Sequence, residues 1–252
     1  MSKKCIIPAL LFIFSVFGIH KSYAQNESAK KTNPFNVSCD LMSRYVWRGT
    51  DFGASPSIQP GIEFNKNNFT AGAWGAYALN RTGSQEADLY VSYTIKDMFT
   101  VLLTDYYFPD EFHDYNYFDY KTETTGHVLE TSVSFNGTEN LPLSFMLATN
   151  VWGADAKRLN ADGTVKNIQF STYAELSWSF NYFDTFIGVN LTNPDENIGE
   201  TGFYGNSVGI INLGISATKD IKISEKFTLP LSVSLITNPQ AEKIYLVAGL
   251  SF

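Results

Sequence analysis

The segment from residue 109 to residue 126 holds the densest group of potential metal ligands in the chain. Its acids are Asp110, Glu111, Asp114, Asp119 and Glu123. Because Ca²⁺ prefers oxygen ligands, one hypothesis is that this acidic loop binds cations and folds into a lid. The spacing does not fit an EF-hand, however, and aromatic residues alternate with the acids. A solvated acidic loop with packed aromatic side chains is therefore favoured, and metal binding stays an open question.

Other patterns that would indicate catalysis or a cofactor are missing from the sequence. Beyond residue 24 the histidines are His113 and His127, and neither has the spacing of a zinc ligand. There is no glycine-rich phosphate loop and no Gly-x-Ser-x-Gly motif. We therefore expect no cofactor and no enzyme of these classes.

The residue pattern beyond position 36 alternates with a period of two. In one stretch, for example, Ala87, Leu89, Val91, Tyr93 and Ile95 alternate with polar or small residues. Twelve such stretches of about ten residues follow one another, separated by turn residues. No segment has a helical period, so the sequence predicts an all-β protein.

Composition and loop lengths distinguish a membrane barrel from a soluble sandwich. Charged residues make only 17% of the chain and aromatic residues 15%, and almost all lysines lie between the predicted strands. Short connections near 65–68, 96–97, 136–139 and 181–182 alternate with long ones near 48–57, 109–126, 153–167 and 193–206. All the long connections thus fall at one end, which is typical of outer-membrane barrels.

Aromatic residues are expected to form a girdle at each end of the strands, where a barrel meets the lipid interfaces. At the end with long loops, Tyr45, Trp47, Tyr77 and Tyr107 have the outward parity. At the short-turn end the predicted girdle comprises Phe64, Phe69, Phe99, Phe135, Phe180, Phe183, Phe227 and Phe252.

Strands can cross hydrocarbon only if the sheet has no open edge, because each unpaired backbone group is costly there. The sequence therefore predicts a closed antiparallel transmembrane β-barrel of about 12 strands over residues 36–252. The terminal Phe252 resembles the C-terminal signal by which such barrels reach the barrel-assembly machinery. Pro60 and Pro230 fall inside predicted strands, where we expect bulges or shifted boundaries.

The first 24 residues have the pattern of a cleaved signal peptide. Lys3 and Lys4 precede an apolar run at 6–19, and a small-residue cleavage pattern ends at Ala24. Residues 25–35 would then form an N-terminal segment before the barrel. Cleavage would leave 15 basic and 25 acidic side chains, a net charge of −10, which disfavours nucleic acid as a partner. Only Cys39 would remain, so no internal disulfide is expected.

One local sequence resembles a known family. The segment SRYVWRGTDFG at 43–53, followed by Gln59-Pro60-Gly61 and by GAWGAY at 72–77, is similar to the TorF-type porin-like family of exported proteins. The resemblance covers about 40 residues in the first strands and the first loop. It implies an outer-membrane barrel and specifies neither a substrate nor a catalytic residue.

Strand parity also predicts which side chains line the interior. The charged ones are Asp40, Arg44, Glu63, Asp88, Glu130, Glu175 and Asp184. The aromatic ones, which would narrow the lumen, are Trp74, Tyr90, Tyr106, Trp152 and Tyr173. Charges inside a barrel must be paired or hydrated, and an excess of acids favours cations or neutral solutes. A structural network between Arg44 and a few acids is an equally favoured alternative.

The sequence thus favours a porin-like barrel in the outer membrane of a Gram-negative-type bacterium, passing small hydrophilic solutes by passive diffusion. Twelve strands lie between filled and open barrels, so a narrow conduit and a plugged barrel are both open. A non-conducting barrel with structural or surface-recognition duties is the first alternative. A lipid-hydrolysing barrel with a Ser–His pair on its outer wall is less favoured. His127 shares the outward parity of Leu129, but no serine is uniquely placed beside it.

Overall fold

The structure, a computed structural model, describes residues 33–80, 85–109 and 116–252. The predicted signal peptide lies outside these residues. The strands, in chain order, are β1 (Phe35–Met42), β2 (Val46–Trp47), β3 (Thr50–Asp51), β4 (Ser57–Lys66), β5 (Phe69–Ala78), β6 (Gln85–Ile95), β7 (Phe99–Tyr107), β8 (His127–Phe135), β9 (Leu143–Gly153), β10 (Lys157–Leu159), β11 (Val165–Ile168), β12 (Thr172–Ser179), β13 (Asp184–Asn190), β14 (Gly209–Ser224), β15 (Phe227–Asn238) and β16 (Lys243–Ser251).

Twelve of these strands form one closed antiparallel barrel, which confirms the predicted fold. The small pairs β2–β3 and β10–β11 are separate hairpins in two of the long loops. The barrel closes where β1 pairs with β16, with Asp40 opposite Ser251. The backbone groups of Cys39 and Phe252 continue this seam with two hydrogen bonds of 3.2 and 3.0 Å. Every barrel strand therefore has a neighbour on both sides.

The wall is apolar outside and polar inside, as the period of two predicts. On β6, Leu89 and Val91 are 49% and 42% exposed, whereas the intervening Asp88 and Tyr90 are 2% and 7% exposed. The other strands expose leucine, isoleucine, valine and phenylalanine in the same way. Such a surface suits contact with hydrocarbon, since large exposed apolar areas are rare on soluble monomers.

Loop lengths follow the predicted asymmetry. The connections at one end are the tight turns 67–68, 96–98, 136–142, 180–183 and 225–226. The other end carries the long loops 43–56, 108–126, 154–171 and 191–208, together with the shorter connections 79–84 and 239–242. The described residues include no α-helix, and none of their helical segments is long and apolar enough to cross a membrane.

Both strand prolines lie where the ladder tolerates them. Pro60 pairs with Cys39 of β1, while the β4–β5 ladder is interrupted at residues 59 and 60. Pro230 pairs with Asp220 of β14, and the pairing of β15 with β16 begins only at Leu231. Proline lacks the N–H that a second ladder would need, which explains both irregularities.

Candidate functional site in the barrel interior

The first long loop folds into the barrel. β1 ends at Met42, and β2 and β3 then form a hairpin with Trp47 opposite Thr50. Arg48 and Gly49 make its turn with positive φ angles of 47° and 77°. A Cβ on Gly49 would lie 1.9 Å from the carbonyl oxygen of Ile211 in β14. The turn therefore lies directly against the backbone of that barrel strand. We call residues 46–51 the plug hairpin.

Arg48 at the tip of the plug hairpin is 5% exposed and forms an ion pair with Glu130 of β8. Its two terminal nitrogens donate to the two carboxylate oxygens at 2.5 and 3.0 Å. A bidentate arginine–carboxylate pair of this kind fixes orientation as well as charge. The guanidinium also lies 4.5 Å from the ring centres of Trp47 and Tyr173, within the range of a cation–π interaction.

A second loop completes the enclosure of this ion pair. Tyr204, in the connection 191–208, donates its hydroxyl to Glu130 at 2.6 Å and accepts from Arg48 at 2.5 Å. Tyr106 of β7 donates to the other oxygen of Glu130 at 3.1 Å. The carboxylate of Glu130 is thus held by a guanidinium and two phenols, all buried in the middle of the barrel.

The plug hairpin and its flanks contact the rest of the wall in the same way. Tyr45 donates its hydroxyl to Glu86 of β6 at 2.7 Å. On the opposite side, Asn238 of β15 donates to the carbonyl of Gly49 at 3.2 Å. Trp47 lies against Tyr106, with ring centres 5.5 Å apart. Side chains of the loops therefore reach strands on several sides of the interior.

The interior is acidic. Among the residues that the structure describes, Arg48 is the one buried arginine, and none of the described lysines is buried. Two of the acids are satisfied by tyrosines: Glu63 accepts from Tyr90 at 2.6 Å, and Glu175 accepts from Tyr173 and, at 2.9 Å, from Asn212. The buried acids are Glu63, Glu86, Asp88, Glu130, Asp155, Glu175 and Glu200.

The predicted charged residues of the interior occupy different environments. Glu63, Asp88, Glu130 and Glu175 are buried on the inner parity. Asp40 is half-buried at the seam, and Asp184 is half-buried at the short-turn end. Arg44 lies beyond the end of β1, where strand parity no longer applies, and its half-exposed side chain forms an ion pair with Asp51 of the plug hairpin.

The predicted aromatic residues of the lumen divide similarly. Tyr90, Tyr106 and Tyr173 are buried inside, and Trp74 lies beside Tyr45 at 5.6 Å between ring centres. Trp152 is an exception. A bulge next to Leu129 and Glu130 brings Trp152 into register with Leu129, on the outward parity, and its ring lies 6.4 Å from that of Tyr120.

The predicted girdle at the long-loop end is partly wrong. Tyr45 and Trp47 are buried in the barrel interior because the chain leaves the strand after Met42 and turns inward. Tyr77 is exposed on the outer wall, whereas Tyr107 is buried against His127. Parity along β1 could not be extended past the end of that strand.

The phenylalanines of the other predicted girdle lie at the short-turn end. Phe99 and Phe135 are cross-strand neighbours with ring centres 5.4 Å apart, and Phe180 stacks on Phe183 at 4.7 Å. The rest of the set occupies the same end: Phe64, Phe69, Phe227 and Phe252. Of these eight phenylalanines, Phe64 and Phe135 are half-buried and the others are exposed.

The acidic loop is described only in part. Asp110, Glu111 and Asp114 lie outside the described residues. Asp119 accepts hydrogen bonds from the Thr124 hydroxyl at 2.6 Å and the Lys121 amide at 3.1 Å, which lower the pKa of its carboxyl, while Glu123 is exposed. Within the described part of the chain, no group of three or more acidic, histidine or cysteine side chains converges at one point.

His127 is fully buried beneath this loop. Its Nδ1 lies 2.9 Å from the carboxylate of Asp105, and its Nε2 lies 2.7 Å from the carbonyl oxygen of Tyr117. The rings of Tyr107, Tyr117 and Tyr120 surround it at about 5 Å. Both ring nitrogens are therefore engaged in fixing the loop to the wall.

Several residues of the interior were not predicted from the sequence. Glu86 has the parity of Asp88 and could have been found by starting β6 two residues earlier. The depth of Arg48 could not be predicted, because an Arg-Gly turn next to aromatic residues has no period of two from which to infer it. Tyr204 comes from an irregular loop and carries no sequence signal that would place it beside Glu130.

A family model described as a bacterial protein of unknown function, Gcw_chp, matches residues 27–170 of the chain. Among solved structures, a KdgM porin has 10% sequence identity and a TM-score of 0.44, over 85% of this chain and 98% of that one. No curated protein matches. Neither match carries the TorF-type name, so that resemblance stays a prediction.

Proposed function

This chain belongs to the Gcw_chp family of bacterial proteins of unknown function, and we propose that it is an outer-membrane barrel that lets small hydrophilic solutes diffuse through a constricted bore. The observation that carries the proposal is the distribution of side chains on the closed barrel of twelve paired strands. Apolar side chains cover its outer surface and polar side chains line its interior, the reverse of a soluble protein. A barrel of this construction is stable in a bilayer and encloses water rather than hydrocarbon.

The plug hairpin supplies the constriction in this proposal. Arg48, Trp47 and Tyr204 form a layer across the middle of the interior that leaves little room for a solute. The route past this layer is lined by carboxylates, with Arg48 neutralised by Glu130. We therefore propose a preference for cations and neutral solutes over anions, since charged rings in a pore select by sign.

Conductance in planar lipid bilayers tests the proposal. The wild-type protein should give small single-channel steps, with a reversal potential in a KCl gradient that indicates cation preference. A variant in which residues 46–51 are replaced by two glycines should give steps several times larger, because the constriction is gone. Removal of residues 161–163, at the tip of the exposed β10–β11 hairpin, is the matched control and should leave the steps unchanged.

The second candidate is a non-conducting barrel with structural or recognition duties. The buried layer around Arg48 and Glu130 favours it, because a fully packed interior passes nothing. Silence of both the wild type and the shortened variant, with folded barrels in both preparations, would support this candidate and contradict the diffusion proposal.

We propose no enzymatic role. His127 has the outward strand parity but is buried beneath the loop 108–126. Its two ring nitrogens are engaged by Asp105 and Tyr117. A lipid-hydrolysing site would need one of these nitrogens to contact a nucleophilic hydroxyl. Incubation of the purified barrel with phospholipid vesicles should release no fatty acid, and release that is lost in a His127→Ala variant would contradict this view.

Location and partners belong to the same proposal. The ring of apolar side chains suits the surrounding outer-membrane lipid, and we propose that the barrel-assembly machinery recognises the apolar strand β16. Small hydrophilic solutes are the proposed cargo, and no nucleic acid is involved. Fractionation of cells that express the protein should recover it with the outer membrane.

A further inference from the structure

Two carboxylates on one strand stand apart from the other buried acids of the interior. Glu86 and Asp88 lie two positions apart on β6, so both point inward, at a separation of about 7 Å along the strand. Glu86 is 3% exposed and Asp88 is 2% exposed. Both are therefore removed from bulk water, where a carboxylate is most stable.

Their neighbours do not balance their charge. Glu86 accepts one hydrogen bond, from Tyr45. Neither carboxylate oxygen of Asp88 accepts a hydrogen bond from a side-chain donor within the described ranges, where the backbone N–H of Tyr107 is the donor that approaches it, and the buried hydroxyl of Thr104 on the adjacent strand β7 also lacks a side-chain partner. The Asp88 carboxylate and the Thr104 hydroxyl, on neighbouring strands and on the same side of the interior, thus have no side-chain hydrogen-bond partner.

The nearby cations are committed elsewhere. Arg48 is held by Glu130, and Arg44 by Asp51. The contrast with Glu175 is instructive, because that equally buried carboxylate is satisfied by Tyr173 and Asn212. An unpaired buried carboxylate is strongly unfavourable, so the pair on β6 must be neutralised by a proton or by a metal cation, since no described side chain supplies the positive charge.

We infer that Glu86 and Asp88 bind one divalent metal cation, Ca²⁺ or Mg²⁺, inside the barrel. Two carboxylates neutralise a divalent ion, and all the available donors are the hard oxygen ligands that these ions prefer. The hydroxyls of Tyr45 and Thr104 lie on the surrounding elements, and water completes the coordination, as is usual for Mg²⁺ bound through one or two carboxylates. The site would hold its ion whether or not the barrel conducts.

Calorimetry with CaCl₂ and MgCl₂ on the full-length barrel, purified in a zwitterionic detergent and stripped with a chelator, tests the inference. We expect one site in the wild type. Asp88→Asn and Glu86→Gln should each weaken binding about tenfold or more. Two control variants should bind as the wild type does: Glu175→Gln, which alters a satisfied buried acid, and Asp119→Asn, which alters the acidic loop.

A second measurement distinguishes loss of metal binding from misfolding of these variants. Tb³⁺, a luminescent substitute for Ca²⁺, should be excited through the nearby aromatic rings of Tyr45 and Trp74, and the signal should disappear in Asp88→Asn while the heat-modifiable migration of a folded barrel is retained. Absence of binding by the wild type, or unchanged binding by Asp88→Asn, would overturn the inference and would indicate that the two carboxyl groups share a proton instead.

Discussion

The two halves of the barrel interior differ although the same strands build both. Towards the long loops, the interior is filled by buried tyrosines, acids and Arg48. Towards the short turns, the inward side chains are mostly half-buried serines and threonines, such as Ser92, Thr94, Thr100 and Ser134. The strand period is identical in the two halves, so the difference comes from the loops that enter one end. The wall therefore determines what can fit inside, and the loops determine what does.

Removal of the arginine at the centre of the filled half should have the largest effect. Arg48→Ala leaves Glu130 buried without its cation, which should lower the free energy of unfolding by about 3–5 kcal/mol. Arg44→Ala, which removes a half-exposed ion pair with Asp51, should cost less than about 1 kcal/mol. Urea unfolding in lipid vesicles measures both. Equal losses of unfolding free energy in the two variants would show that the buried and the half-exposed ion pairs contribute alike to stability.

The turn of the plug hairpin gives the next largest effect. Gly49→Ala should destabilise the barrel by about 1–3 kcal/mol, because φ is positive there and the new Cβ would meet the backbone of Ile211. Gly163 also has a positive φ, of 82°, but a Cβ there would meet no atom within 4 Å. Gly163→Ala is the control for backbone strain alone. If the two variants lose the same stability, close contact with the wall is not what holds the hairpin.

Acid should loosen the loops above the filled half. The amides of Asp195 and Leu159, and then Arg158, donate to Glu200 and hold the pKa of its carboxyl below its usual value. A carboxyl whose folded pKa is lowered stabilises the loops above its unfolded pKa and loses that contribution as the pH falls through the folded pKa. The protection factor of the Leu159 amide, the intrinsic exchange rate of an unstructured amide divided by its own exchange rate at the same pH, should therefore fall in acid.

The control for this pH effect is Glu200→Gln, in which the protection factor of the Leu159 amide should already be lower at neutral pH and should change little between neutral and acid conditions. The same fall of the protection factor in both proteins would mean that another group holds the loops 154–171 and 191–208 together.

The smallest effect is expected in the open half. Ser134→Ala changes a half-buried side chain of the lower interior and should alter the free energy of unfolding by less than about 0.5 kcal/mol. Unfolding in urea again measures it. A loss as large as that of Gly49→Ala would show that the lower interior is as tightly organised as the upper one.

Strand parity predicts from the sequence which side chains of the barrel strands face outward and which face inward, because each side chain of a strand has only two possible directions. It assigned Glu63, Glu130 and Glu175 to the interior, and all three are buried side chains within regular strands. It failed for Trp152, where a bulge shifts the register by one residue. A single inserted residue reverses every later side chain, and the sequence carries no mark of it.

The loop residues that fill the barrel interior could not be predicted from strand parity. Tyr45, Trp47 and Arg48 lie in a loop, and Tyr204 lies in another, about 150 residues further along the chain. Their meeting depends on the curvature of the whole ring and not on any local pattern. The Arg-Gly turn allows the hairpin to form, but only the far wall, with Ile211 and Asn238, shows how deeply it enters.

The seam between β1 and β16 has a consequence for how the molecule is made. Because Asp40 pairs with Ser251, the ring cannot shut until the C-terminal residues have been delivered. This pairing has nearly the highest contact order that the chain allows, and such contacts form slowly. Until then the sheet has two open strand edges with unpaired backbone groups, which promote aggregation. Closure of the ring therefore competes with aggregation until β16 has paired with β1, and any factor that covers those two edges should favour closure.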